Sequence, residues 1–324
     1  MQSASSLLKS KFPSVALNKR WIIYCPFDFK SFVGYNEIEA YLTALGARVI
    51  GCTKEQRKIQ SLRIGDGPVC VLEAGVHARE WASPMAALYV VDKLVNKPIP
   101  GLTWIIVPLL NPDGYEYSRK SMSTRFWKKN MNNTKSRWCQ GVDINRNFRI
   151  GWGDLAGCSK NPCMDTFCGL GPWSEVESIS MKSLLVEERD VRVYISVHSC
   201  LQAIMYPPAH STEKAIDLEE LETVAKEMSN SIKSRCGREY QVGQSSVIDK
   251  IASGTSIDWA RQELGIKYCF NLALPGPDVG YLLPEDEIEK VGKELHEAVN
   301  AVSLIAINFS NSDKPEYVDI TKDT

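Results

Sequence analysis

Short β-branched runs alternating with amphipathic helical stretches constrain this chain more than any other feature. That order is satisfied by strands gathered in one sheet with helices laid on its faces. Val69-Cys70-Val71-Leu72 reads as a buried strand, and Ser83-Pro84 as the cap and start of a helix running to about Val95. Thr103 to Leu110 reads as a second strand, closed by the turn Asn111-Pro112-Asp113-Gly114. Ser174 and Glu177 have the spacing of a capping box at the head of another helix. Val191 to Val197 reads as a strand ending at His198, and Lys267 to Leu274 as a further strand. Leu218, Leu221, Ala225, Met228 and Ile232 fall on one helical face, as do Ile288, Val291, Leu295, Ala298, Val302 and Ile305. Neither an internal repeat nor a long linker interrupts the pattern. The expectation is a single α/β domain over residues 26–308, with 1–25 an N-terminal extension and 309–324 a polar tail.

A chain of 324 residues, 44% hydrophobic and 24% charged, can bury a core of this kind. Its formal net charge of −1, without a basic stripe, argues against a nucleic-acid partner. No apolar run approaches the ~18 residues of a membrane helix. The opening MQSASSLLKSKF lacks the apolar core of a signal peptide, so either the true N-terminus has been trimmed or export does not follow the usual route. The cysteines point the other way. Four of the ten (Cys139, Cys158, Cys163, Cys168) crowd into Gly-, Asn- and Pro-rich sequence, which suits disulfides in an irregular loop. A zinc knuckle is the alternative, but no paired C-x-x-C is present. Asn132-Asn133-Thr134 and Asn308-Phe309-Ser310 fit the glycosylation triplet.

Three residues carry the chemical signal. His77 and Glu80 lie three apart between a strand and a helix, and His198 closes a later strand. Two histidines and a carboxylate form a common catalytic zinc set with one position left open, and zinc there lowers the pKa of its water to about 7. Taken alone the spacing is equally met by two strand-end histidines and a helix-start carboxylate near the positive dipole end.

The surrounding text narrows this. G-V-H-A-R-E-W (75–81), N-P-D-G-Y (111–115), G-V-D-I-N-R-N-F (141–148), S-V-H-S (196–199), S-G-T-S-I-D-W (253–259), G-I-K-Y-C-F (265–270) and Y-L-L-P (281–284) resemble, in order and spacing, the zinc metallocarboxypeptidases of the pancreatic A/B type. The resemblance covers nearly the whole domain. It implies a mixed, twisted eight-stranded sheet with helices on both faces and a site at the carboxyl ends of the central strands. It makes His77, Glu80 and His198 the ligands of one Zn2+ per chain, and Asp143 the carboxylate that orients the first histidine. Asn145 and Arg146 match the clamp on a substrate's terminal carboxylate, where a planar guanidinium suits a carboxylate. Arg79 matches a contact to the next residue inward. Ile257 matches the base of the side-chain pocket, where an apolar group suits an apolar or aromatic terminal residue; it reads equally as a core isoleucine. The same resemblance pairs Cys139 with Cys163 and Cys158 with Cys168, and implies an extracellular, monomeric protein whose partners are peptide or protein C-termini. Residues 1–25 would be at most the remnant of a prodomain.

The resemblance fails at the chemistry. The family strand Y-S-F-x-F-E-L-R-D reads Y-C-F-N-L-A-L-P-G here, so Ala273 stands where the general-base glutamate belongs. Such a group contributes on the order of 10²–10⁴-fold. Lys128 replaces the arginine that stabilises the oxyanion and could still supply positive charge there, as a point rather than a fork, while Arg125 is kept. Lys250 and Cys200 replace two tyrosines; Lys250 reads either as a group that reaches a ligand carboxylate or as an exposed loop lysine, and the loop after Ala273 reads P-G-P-D, one residue short. Several linked changes fit natural divergence better than a single engineered substitution. The leading expectation is a zinc-holding, terminus-binding protein with weak or absent hydrolysis. Its rivals are an active exopeptidase using another base, for which Asp278 is the nearby acidic candidate, and a non-catalytic decoy or protein-binding module.

Overall fold

Strands and helices alternate in the computed structural model, which describes residues 14–17, 20–23, 27–188, 190–215, 217–276 and 281–309. A hairpin of β1 (Ser14–Leu17) and β2 (Arg20–Ile23) precedes α1 (Tyr35–Ala44), β3 (Arg48–Cys52), β4 (Lys58–Gly65) and β5 (Val69–Ala74). There follow α2 (Ala82–Asn96), β6 (Thr103–Val107), α3 (Pro112–Ser118), α4 (Val176–Glu187), β7 (Val191–Ser199) and β8 (Ala203–Tyr206). The chain continues through α5 (Leu218–Cys236), β9 (Gln241–Gln244), α6 (Ser245–Ile248), α7 (Ser256–Gln262), β10 (Tyr268–Leu274) and α8 (Ile288–Ile307). Eight strands form one mixed sheet in the order β3-β4-β6-β5-β7-β10-β8-β9, as expected. Its centre, β6-β5-β7-β10, is parallel, so four strand carboxyl ends lie side by side.

The period-2 alternation divides the sheet into two unlike faces. Leu72 on β5, Ile195 and Val197 on β7, and Phe270 and Leu272 on β10 point to a core closed by α1, α2, α5 and α8. Burying each such side chain contributes about 1.5–3 kcal/mol. Trp104 adds a hydrogen bond from its indole nitrogen to Ser303 Oγ on α8, at 3.0 Å. The opposite face packs on α4 and α7, and there the alternation turns polar near the strand ends. Glu73 on β5 lies in register with Ser196 on β7. Asn271 on β10 lies in register with the same Ser196, and Ala273 with His198. This is the face that bears the cleft.

Several local expectations change. Helix α2 begins at Ala82, and Ser83 does not cap it; its hydroxyl donates to Val197 O at 2.6 Å and accepts from Gly75 N–H at 3.0 Å, tying two strand ends together. The Asn111–Gly114 turn becomes the first turn of α3, with Asn111 Oδ1 capping Gly114 N–H at 3.0 Å. The Ser174/Glu177 capping box does not form. Helix α4 starts at Val176, Asn147 Nδ2 donates to Ser174 Oγ at 2.9 Å, and the Glu177 carboxylate accepts from Asn130. Cys139 and Cys163 form the expected disulfide. Cys158 and Cys168 do not: backbone bonding between Ser159 and the 166–168 segment sets their buried thiols in hydrogen-bond contact without a bond. Burial, reinforced by that neighbour, pushes the Cys168 thiol up to about 12.

Gly254 shows how closely α7 is docked on the cleft. Its φ is +70°, and a Cβ there would lie 2.4 Å from the carbonyl oxygen of Arg146. We expect Gly254→Ala to cost at least ~2 kcal/mol, combining left-handed strain with that overlap, and to lower the urea midpoint of unfolding. An unchanged midpoint would contradict this packing.

Candidate metal centre and cleft

The chain leaves β5 at Ala74, turns at Gly75, and delivers His77 and Glu80 just before α2. His198 is the penultimate residue of β7, the strand paired in parallel with β5. Strand pairing and the Ser83 tie therefore bring together residues more than a hundred positions apart. His77 Nδ1 lies 2.7 Å from Glu80 Oε1, and His198 Nδ1 lies 3.0 Å from Glu80 Oε2. One ligand atom from each residue falls within 4.8 Å of the others. A tetrahedral zinc at the usual bond lengths spaces its ligand atoms about 3.3 Å apart, so this donor set fits zinc after small adjustments. Burial would raise the pKa of Glu80, but the two imidazoles override it and hold the carboxyl well below its usual range. Burial opposes protonation of His198, and Glu80 overrides that in turn, raising its pKa.

Each imidazole is held from behind. His77 Nε2 meets Asp143 Oδ1 at 3.1 Å, as the resemblance implies. His198 Nε2 meets Ser196 Oγ at 3.0 Å, and Ser196 donates onward to Glu73 Oε1 at 3.0 Å. Tyr194 donates to the other oxygen of Glu73, whose pKa burial raises. His198 Nε2 also lies 3.2 Å from the Asn145 amide nitrogen; with a metal on Nδ1 the proton of His198 sits on Nε2, and Ser196, which donates its own hydrogen to Glu73, is the partner of the two that can accept from it. This relay fixes the metal-binding tautomer. Sequence reasoning missed Glu73, Ser196 and Tyr194, although Tyr194, Ser196 and His198 at every second position share one sheet face.

The residues expected to hold metal, bind ligand or stand at the catalytic positions converge on the same cleft. His77, Arg79, Glu80, Lys128, Asn145, Arg146, His198, Lys250, Ile257 and Ala273 all line a cavity of about 160 Å³. Arg146 spends Nε on Gly157 O at 2.9 Å and Nη1 on Asn145 O at 2.7 Å, and forms no ion pair among the described residues. Asn145 Oδ1 accepts the Ser256 N–H at 2.9 Å, which directs its NH₂ toward His198 and the cleft. Arg79 pairs with Asp165 at 3.0 Å and stacks 4.5 Å over Tyr281, whose side chain also bonds Cys200. Arg125 holds the wall by donating to Arg79 O and Tyr281 O.

Lys128 behaves differently from a free oxyanion donor. Its ammonium is bound to Asp143 Oδ2, the carboxylate that also holds His77. Burial lowers the lysine pKa, with Asp143 partly compensating. Burial would raise the pKa of Asp143, but Lys128, Arg146 and His77 drive it well down. Lys250 stands exposed at the cleft mouth beside Asp249. Ala273 is 1% exposed, flanked in register by His198 on one side and Ala203 on the other. Asp278 lies outside the described residues.

Ser196→Ala should weaken zinc binding by about 10-fold or more, because Nε2 of His198 loses its acceptor. Competition with a metal-binding dye measures this, with thermal unfolding of the metal-free protein as the control. An unchanged dissociation constant would show that the relay does not set the tautomer.

Residues 39–298 match the Peptidase_M14 family, described as zinc carboxypeptidase. Carboxypeptidase B of Astacus astacus is 32% identical over 297 residues, covering 85% of this chain and 97% of its own length. Carboxypeptidase A2 of Mus musculus is 36% identical over 258 residues, covering 76% of this chain and 61% of its own. Among solved structures, bovine thrombin-activatable fibrinolysis inhibitor in complex with tick carboxypeptidase inhibitor superposes with a TM-score of 0.82 at 29% identity, covering 86% of this chain and 99% of that one. Carboxypeptidase A from Helicoverpa armigera gives 0.81 at 28% identity, covering 94% and 79%. With the sheet, the His-Glu-His centre and these similarities in agreement, the chain belongs to the zinc carboxypeptidase family.

Proposed function

We propose that this protein holds one zinc ion, binds the C-terminal ends of peptides, and hydrolyses them weakly or not at all. The observation that carries this reading is Ala273, a methyl group packed between His198 and Ala203 where a proton-transferring carboxylate would face the metal. Zinc at this centre supplies a Lewis acid that polarises a peptide carbonyl. The chain's own residues supply the rest. Arg146 and the NH₂ of Asn145 offer donors to a terminal carboxylate, and a guanidinium that makes no direct ion pair among the described residues is suited to that task. Ile257, Met205, Ala209 and Ala252 give the adjoining pocket apolar walls, which favour an uncharged terminal side chain over lysine or arginine. Among the described cleft residues the carboxylates are Glu80, which is engaged by both histidines, and Asp249 at the exposed mouth. Neither occupies the place of the missing base.

Without a base, nothing removes a proton from the attacking water or returns one to the leaving amine, and the amine leaves poorly until protonated. Lys128, tied to Asp143, is a weaker substitute for a forked donor beside the carbonyl oxygen. The disulfide between Cys139 and Cys163 supports an oxidising, extracellular setting.

Hydrolysis of peptides with uncharged C-termini should fall at least ~10²-fold below that of an active relative. Ala273→Glu alone should recover part of it, and adding Lys128→Arg and Lys250→Tyr should recover more. Losses within one catalytic unit are not additive, so the increments are not expected to multiply. Full activity in the native chain would place the base elsewhere and return the protein to the ordinary exopeptidases.

A further inference from the structure

The pocket is not apolar throughout. On β10 the side chains of residues 269, 271 and 273 share the cleft face, and Asn271 lines the cavity two residues inward from Ala273, roughly 7 Å along the strand. Its neighbours in register are Ser196 and Met205. The Ser196 hydroxyl is committed to His198 and Glu73, and Met205 offers no donor. The buried Oδ1 of Asn271 is left without a hydrogen-bond partner among the described residues. Asp258, which could otherwise have charged this region, accepts from Ala209 and His210 and is fully buried.

We infer that Asn271 makes the pocket selective for a terminal residue bearing a side-chain carboxamide, glutamine or asparagine. The inference rests on the terminus-binding reading above. Where it lies the Asn271 oxygen is out of reach of water, and rotation of the amide about its last torsion turns it into the cleft, where water can serve it. An apolar side chain filling the pocket would expel that water and strand the oxygen; a side-chain N–H would satisfy it. The two ends of an asparagine amide exchange by a flip about its last torsion, so the complementary partner is a group that both donates and accepts. A carboxamide does both, whereas an ammonium only donates and a carboxylate only accepts. Ile257, Met205 and Ala252 then pack on the methylene portion of the ligand side chain.

The test is calorimetric titration of the zinc-loaded native chain with four peptides Gly-Gly-Gly-X, where X is Gln, Met, Asn or Leu. Gln and Met are near-isosteric, as are Asn and Leu, so each pair isolates the polar contact. The inference expects Gln over Met and Asn over Leu by about 10-fold. In Asn271→Leu both preferences should vanish or reverse, with zinc content unchanged. Equal or tighter binding of Met and Leu to the native chain overturns the inference while leaving terminus binding intact, and needs no variant. Failure of all four to bind overturns the terminus-binding reading and this inference together.

Discussion

The buried carboxylate of Asp143 joins the metal centre to Asn145 and Arg146, the proposed ligand clamp. One oxygen meets His77 Nε2, the other holds Lys128, and the Asn145 N–H returns to the first oxygen at 3.1 Å. The carboxylate is inaccessible to solvent, so its charge is tolerable only because those partners surround it. The same contacts fix the 143–146 turn from which Asn145 and Arg146 reach the cleft. A change at Asp143 would therefore disturb metal orientation and the proposed ligand clamp together.

The parallel strands supply the complementary constraint. Because β5, β7 and β10 run in register, Glu73, Ser196 and Asn271 form one row across the sheet, and His198 and Ala273 form the next. The inner row stabilises one imidazole and equips the pocket; the outer row would hold metal and base together if residue 273 carried a carboxylate. On the proposed reading, alanine at 273 removes a reacting group without disturbing the pairing of its strand, so the fold and the His-Glu-His centre can coexist with a lost base.

Much of this was legible in the sequence. The alternation of strands and helices identified the layered fold, and the strand-end positions of His77 and His198 together with the motifs around them identified the zinc centre. The resemblance put Ala273 at the general-base position, and the structure sets that residue in register with His198. Interactions set by distant packing were less legible. Lys128 reads as an oxyanion donor until Asp143 is seen to hold it, and Ser174 as a helix cap until Asn147 claims its hydroxyl. Glu73 in an apolar strand gives no sign of its Ser196 partner, which lies 123 residues away. The outer strands β3, β4, β8 and β9 are short or interrupted by polar residues, and segment-by-segment reading passed over them. The resemblance paired Cys158 with Cys168 in a disulfide, and the structure holds the two thiols in contact without one.

The central claim is that recognition of a free C-terminus has been kept while cleavage has been lost. The most direct measurement titrates the zinc-loaded native chain with a peptide ending in a free carboxylate and with its amidated counterpart, and follows both mixtures for product by mass spectrometry. The account predicts tighter binding of the free carboxylate, because an amide cannot accept the charged fork of Arg146, with the peptide recovered intact on the timescale in which an active relative consumes it. Equal affinity for the two forms, or rapid release of the terminal residue, would contradict it.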